Sequence, residues 1–127
     1  MNATLVLAVA AGGALGSVAR YMVGVASTRA FGLAFPWGTL IVNIAGAFLI
    51  GVLIELFALK AELPQEVRVF LTVGLCGGFT TFSTFSLDAW VMIERGEWWQ
   101  AAAYVSASVL LSIGGLAAGL YAVRAAA

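Results

Sequence analysis

The charged residues of this chain are confined to short clusters that separate long uncharged stretches. The stretches that lack Asp, Glu, Lys and Arg are residues 1–19, 30–54, 69–87 and 98–123. Each is close in length to the roughly 20 apolar residues with which a helix crosses a membrane. The sequence therefore predicts four membrane-spanning helices, at about residues 4–26, 37–58, 66–93 and 98–123.

The composition favours a membrane protein and excludes several kinds of site. Charged residues make up 9% of the 127 residues, against roughly 25% in ordinary globular domains. The chain has no His and a single Cys, so an imidazole base, an intrachain disulfide and a cysteine-rich zinc site are excluded. A net charge of zero argues against nucleic acid as a partner. We predict an all-α membrane protein with one domain over residues 1–127, and no enzyme, because no nucleophile–base pair is apparent.

The basic residues give no preferred orientation in the membrane. With four spans, the N-terminus, the second loop and the C-terminus lie on one side. The two sides carry three basic residues each: Lys60, Arg68 and Arg124 on one, Arg20, Arg29 and Arg95 on the other. Because an excess of Lys and Arg normally marks the cytoplasmic side, the equal count is compatible with insertion both ways, or with an orientation set by other features. Four short helices cannot easily enclose a polar pathway, so we expect an oligomer.

The third predicted span contains a glycine pair followed by a run of hydroxyl residues. Gly77 and Gly78 precede five Ser and Thr residues within positions 80–86. Glycine weakens a helix, and Ser and Thr offer the backbone competing hydrogen bonds. We therefore predict a mid-membrane break between two half-helices, where released carbonyls can hold a cation. The alternative is an unbroken helix whose hydroxyls bond to the preceding turn.

Uncharged polar side chains also follow one face of the second and fourth spans. Thr39 and Asn43 are four residues apart, and the Asn43 amide can donate two hydrogen bonds. Tyr104, Ser108 and Ser112 form a hydroxyl stripe at intervals of four residues. These groups suit a partly dehydrated anion. Hydrogen bonds and packing between helices would use the same residues.

Two phenylalanines complete the candidate pathway. Phe82 and Phe85 are three residues apart and share a helix face, and the edges of their rings carry partial positive charge. Lipid contact or packing is the alternative role. A proton-coupled carrier usually needs an acidic residue within the membrane, and no acidic residue lies in the middle of a predicted span. The residues taken alone therefore favour a pore for a small anion.

Residues 77–85, GGFTTFSTF, together with residues 37–43, WGTLIVN, resemble the Fluc (CrcB) fluoride channels of microbes. The resemblance extends over nearly the whole chain. It implies an antiparallel, dual-topology homodimer in the cell inner membrane, with two fluoride pores and a central structural sodium ion. It further implies passive export of cytoplasmic fluoride, which protects against fluoride toxicity.

The resemblance also assigns roles to individual residues. The backbone carbonyls of Gly77 and Thr80 match the sodium ligands. Arg20 matches an arginine near the end of the first span, which would attract anions or extend to the membrane interface. The residues that match the fluoride pathway are Asn43, Phe82, Phe85, Tyr104, Ser108, Ser112 and, less closely, Thr39.

Two other classes of protein remain as alternatives. A small multidrug exporter also has four spans, but it needs a membrane-embedded Glu in the first span, and no acidic residue precedes Glu55. An accessory membrane subunit without transport activity would not need the amide, the glycine pair or the hydroxyl stripes. In such a subunit, loss of those side chains would change stability alone.

Overall fold

The computed structural model of the protein describes residues 1–59 and 62–127, and these residues contain helices and no strand. Four segments are long and apolar enough to cross a membrane, which confirms the predicted all-helical fold with four such helices. Lys60, assigned to the second loop, lies outside the described residues. The helices are α1 (Ala3–Phe31), α2 (Trp37–Leu59), α3 (Gln65–Val69), a π-helix (Phe70–Cys76), α4 (Gly77–Phe79), α5 (Phe82–Glu94) and α6 (Trp98–Ala126).

The first helix begins and ends at residues that satisfy some of its terminal backbone groups. The Asn2 side chain accepts a hydrogen bond from the Thr4 N–H at 2.8 Å and so caps the start of α1. Gly32, with φ of +80°, ends the same helix and donates its N–H to the Thr28 carbonyl at 2.8 Å. The helix passes the predicted end near residue 26 and continues to Phe31, where Gly32 takes a positive φ.

The third span, Gln65–Glu94, changes geometry several times along its length. It includes a π-helix and is interrupted at Thr80 and Thr81, which are both extended, with φ/ψ of −87°/160° and −154°/123°. Gly77 and Gly78, which we expected to weaken the helix, remain helical. The interruption therefore lies two residues beyond the glycine pair, at the start of the hydroxyl run.

The glycines bring α1 close to the first half of the third span. A Cβ atom added at Gly12 would lie 2.9 Å from the Leu75 nitrogen, and one at Gly74 would lie 2.9 Å from the Gly12 Cα. A Cβ at Gly78 would lie 2.6 Å from the Gly13 carbonyl oxygen. Contacts this short between backbones require small residues, as is usual where helices pack in lipid. Gly78 thus permits the helical segment that contains it to pack closely against α1.

Helices α2 and α6 pack along each other in the same manner. A Cβ at Gly119 would meet the Phe48 carbonyl oxygen and would lie 3.0 Å from the Val52 nitrogen. Beyond this contact the Arg124 Nε lies 3.2 Å from Glu55 Oε1, so an ion pair joins the two helices near their ends. Glu55, the first charged residue after the uncharged stretch 30–54, thus lies within α2 and not in the loop that follows it.

The buried core is small and the outside of the helices is largely apolar. Large side chains such as Leu7, Met22 and Leu110 are more than half exposed. A surface of this kind is suited to lipid. The buried core cluster consists of Leu40, Phe85, Met92, Ala101 and Tyr104, and it lies between α2, α5 and α6.

Candidate functional site

A cavity of about 420 Å³ lies where α2 and α6 meet the interruption of the third span. Its lining includes Thr80 and Thr81, where the span is interrupted, together with apolar residues of α2 and α6. Within residues 1–59 and 62–127, no charged residue lines it. Five residues assigned to the pathway from the sequence line this cavity: Asn43, Phe82, Phe85, Ser108 and Ser112.

The two phenylalanines of the site occupy different environments. Phe82 is 78% exposed, whereas Phe85 is 8% exposed and belongs to the core cluster. Their ring centroids are 5.5 Å apart, with the planes tilted by 46°. Phe85 also packs against the ring of Tyr104 at 5.2 Å. The cavity is therefore lined by one exposed ring, that of Phe82, and by one ring held in place by packing, that of Phe85.

Ser108 contributes a buried hydroxyl to the same cavity. The residue is 5% exposed, and within the described part of the chain its Oγ has no hydrogen-bond partner. A buried hydroxyl without a partner is unfavourable, because the group has lost its hydrogen bonds to water. Such a group is suited to donate to a ligand that enters the cavity. Ser112, one turn further along α6, is half-buried on the same lining.

Asn43 joins α2 to the interrupted segment by two hydrogen bonds to one residue. Its Oδ1 accepts from the Thr81 N–H at 2.8 Å, and its Nδ2 donates to the Thr81 carbonyl at 3.0 Å. An amide nitrogen carries two hydrogens. One N–H of Asn43 therefore bonds to the backbone, and the second is left to donate into the cavity that Asn43 lines.

The interruption changes the hydrogen bonds of the carbonyls assigned to sodium. In a continuous helix the N–H of Thr81 would bond to the Gly77 carbonyl, and that of Thr84 to the Thr80 carbonyl. Here Thr81 donates to Asn43, and Thr84 donates to the Thr81 Oγ1 at 3.1 Å. Both carbonyls are thus released from those helical donors, and carbonyl oxygens at broken membrane helices are suitable ligands for Na⁺. The residues therefore fit a cation held by backbone oxygens.

Thr39 and Tyr104 are not among the residues that line the cavity and instead share an acidic partner. The hydroxyls of Thr39 and Tyr104 donate to Asp88 Oδ2 at 2.8 and 3.1 Å. Sequence reasoning missed Asp88 because it treated this residue as the charge that ends the third uncharged stretch. Its position three residues after Phe85, on the same helix face, is the signal that could have identified it.

The Arg20 side chain points towards the interruption. Its Nε donates to the Gly78 carbonyl at 3.1 Å, in a part-buried hydrogen bond. Arg20 also lines a second cavity of about 500 Å³, which includes Arg29 and hydroxyl residues such as Thr39 and Thr84. This arrangement combines two cationic groups with hydroxyl donors on the α1 side of the break.

Comparison with known proteins shows the family. Residues 7–120 match the family model described as CrcB-like protein, Camphor Resistance (CrcB). The chain is 60% identical to the fluoride-specific ion channel FluC 1 of Nitrobacter hamburgensis, with 98% of each protein covered. It is 55% identical to the fluoride-specific ion channel FluC of Rhodospirillum centenum, over 96% of this chain and 97% of the relative. The chain therefore belongs to the CrcB family, a family of ion channels and not of enzymes, as the resemblance predicted.

Proposed function

We propose that this protein is a fluoride-selective channel through which cytoplasmic fluoride leaves the cell passively. The observation that carries the proposal is Ser108, which lines a cavity without charged residues and whose buried hydroxyl has no partner among the described residues. Asn43 and two phenylalanine rings line the same cavity. Family membership and the names of the relatives support fluoride as the ion.

The lining suits fluoride because this ion is small and strongly hydrated. An anion enters a narrow pathway when protein donors replace the water that it loses. Asn43, Ser108 and Ser112 supply amide and hydroxyl donors, and the edges of Phe82 and Phe85 supply partial positive charge. Because the lining formed by the described residues is uncharged, it does not hold the ion so tightly that it cannot leave.

The expected direction of transport follows from acid–base chemistry and membrane voltage. Neutral HF forms in acidic surroundings, crosses the membrane, and dissociates in a more alkaline cytoplasm. The anion then leaves through the channel down its gradient. A negative-inside potential contributes about 2.3 kcal/mol per 100 mV for a unit charge. No energy source other than these gradients is needed.

The proposed assembly is an antiparallel, dual-topology homodimer in the cell inner membrane. Asn43 and Ser112 line an open cavity together with Thr80 and Thr81, the residues at which the third span is interrupted. Polar backbone at membrane depth must be covered by protein or line a water-filled pathway, and a second copy would provide this cover. Symmetry then gives two pores, and the interruption would lie at mid-membrane in each copy.

A central sodium ion would have a structural role in this dimer. The carbonyls of Gly77 and Thr80 would hold it, since both lack the helical donors that a continuous span would supply. The cation would supply positive charge that stabilises the exposed carbonyls of two facing interruptions. Asn43 and Arg20 would keep the neighbouring carbonyls, those of Thr81 and Gly78, engaged with side chains.

The proposed function is tested by anion efflux from liposomes that contain the purified protein, with its dimeric mass checked by light scattering. Liposomes loaded with fluoride or chloride are discharged with a potassium ionophore, and an ion-selective electrode records release. We expect rapid release of fluoride and negligible release of chloride. Equal release of both ions would refute the selectivity, and no release of either from a verified dimer would refute the channel.

The ring-edge role is tested in the same assay. Phe82→Ile and Phe85→Ile keep an apolar side chain but remove the ring edges, so we expect each to abolish fluoride release while the dimer still forms. Phe31→Ile, at the end of α1 and outside the cavity lining, is the matched control and should conduct like the unmodified protein. Unchanged release in both cavity variants would contradict the role.

A further inference from the structure

We propose that Asn43 is the positioning residue that holds the third span in its interrupted conformation, and that it thereby links the cation site to the anion pathway. This role is distinct from donation to a passing anion. The inference rests on the proposed function for the identity of the two ions. Its structural basis is the pair of hydrogen bonds between the Asn43 amide and the backbone of Thr81.

The geometry of these two bonds selects extended backbone. In a helix, the N–H and C=O of one residue point in opposite directions along the axis, so one amide cannot bond to both. In a strand they point to the same side, and a facing residue can exchange both hydrogen bonds with them. Thr81 has strand geometry, with φ/ψ of −154°/123°. Asn43 therefore takes the place of a neighbouring strand, and its two bonds exist only while Thr81 is extended.

The same contact determines which carbonyl is released. The Thr81 N–H is the group that would bond to the Gly77 carbonyl if the helix continued. Asn43 Oδ1 accepts this N–H at 2.8 Å and so keeps it from returning to Gly77. The Gly77 carbonyl is then available to a cation. The side-chain oxygen of Asn43 thus determines whether the Gly77 carbonyl is free to bind a cation.

The other end of the same amide serves the anion pathway. One N–H of Asn43 donates to the Thr81 carbonyl at 3.0 Å, and because Asn43 lines the cavity that contains Ser108 and Ser112, its second N–H is available to donate there. The bond to Thr81 fixes the plane of the amide, and with it the direction of the second N–H. Displacement of the cation and loss of anion flux are therefore expected to accompany each other when Asn43 is removed.

The sodium response is the readout that separates positioning from a direct role in conduction. Without Asn43, Thr81 can return to helical geometry, and the fraction of molecules with a released Gly77 carbonyl falls. The apparent affinity for the cation falls by that same factor. Each lost hydrogen bond typically changes such an equilibrium about two- to tenfold. For Asn43→Ala we expect the sodium concentration needed for a given rise in melting temperature to increase about tenfold or more.

The experiment measures the melting temperature of the purified dimer against sodium chloride, with N-methyl-D-glucamine chloride keeping the ionic strength constant. Ser112→Ala is the matched control, because it removes a donor from the same cavity without a contact to Thr81. It should lower fluoride efflux and leave the sodium response unchanged. Asn43→Gln, which retains both the donor and the acceptor, should recover part of the response. An unchanged response in Asn43→Ala, an equal loss in Ser112→Ala, or no response in the unmodified protein would overturn the proposal.

A second test of the role of Asn43 uses the unmodified protein. Hydrogen exchange of the Thr81 amide should be slower than that of Phe82 and Ser83, which are the first two residues of α5 and lack an intrahelical acceptor. Equal exchange of the three amides would overturn the proposal. A dimer that responds to sodium and protects Thr81 but releases no fluoride would refute the proposed channel and leave the positioning role intact.

Discussion

The close packing of α1 against the third span gives a sharp prediction at Gly16. A Cβ atom at this position would meet the Leu75 carbonyl oxygen, and it would lie 2.8 Å from the Phe79 nitrogen and 3.1 Å from the Gly78 carbonyl carbon. All three are backbone atoms, so no side-chain rotation can relieve the overlap. Overpacking of this kind costs about 1–3 kcal/mol. We therefore expect Gly16→Ala to destabilise the protein although alanine is the better helix former.

Gly13→Ala, on the same helix, is the matched control. Its Cβ would lie 4.0 Å from the Gly74 carbonyl oxygen, which is an ordinary van der Waals distance. At this position alanine should gain the full helix propensity of about 1 kcal/mol over glycine. The same propensity gain applies at Gly16, so the free energies of unfolding of the two variants should differ by the overpacking cost, about 1–3 kcal/mol. Reversible unfolding in mixed micelles of detergent and SDS measures this difference. Equal stability of the two variants would show that the backbones are not in contact here.

Two further predictions concern buried hydroxyls. Asp88→Ala should cost about 1–3 kcal/mol in the same unfolding assay, because it leaves the buried Tyr104 hydroxyl without an acceptor. Adding Tyr104→Phe should recover part of that loss, and a double variant as unstable as the sum of the two single variants would contradict the pairing. Ser108→Ala should leave stability unchanged or slightly raised, because the hydroxyl has no partner among the described residues, and it should lower fluoride efflux. A clear loss of stability would show that the hydroxyl is already bonded.

The four helices were predictable from the sequence because they depend on the solvent and not on the details of packing. A charge in the hydrocarbon region is costly, so uncharged stretches of sufficient length mark the spans. The same reasoning located the hydroxyl run of residues 80–86 as a place where helical geometry is weak. It attributed the weakness to the glycine pair as well as to the Ser and Thr side chains, and of these residues Thr80 and Thr81 are the extended ones, whereas Gly77 and Gly78 are helical.

The rest of the site could not be predicted because it depends on contacts between helices. Nothing local to Asn43 indicates that both ends of its amide bond to Thr81, which lies 38 residues further along the chain. The hydrogen bond from Arg20 to Gly78 is likewise a product of how α1 lies against the third span. Asp88 was overlooked for a related reason, since a carboxylate that ends a span in the sequence accepts two hydroxyl hydrogen bonds in the fold.

These contacts together explain why the interruption lies after the glycine pair and not within it. On one side, α1 packs against Gly78 at backbone distance, and Arg20 donates to its carbonyl, so both interactions favour the helical geometry seen there. On the other side, α2 presents Asn43, whose paired hydrogen bonds require Thr81 to be extended. The change in geometry must fall between these two residues. The position of the break is therefore set by α1 and α2, and substitutions of Arg20 and Asn43 should shift the proposed sodium response as strongly as substitutions within the GGFTTFSTF segment itself.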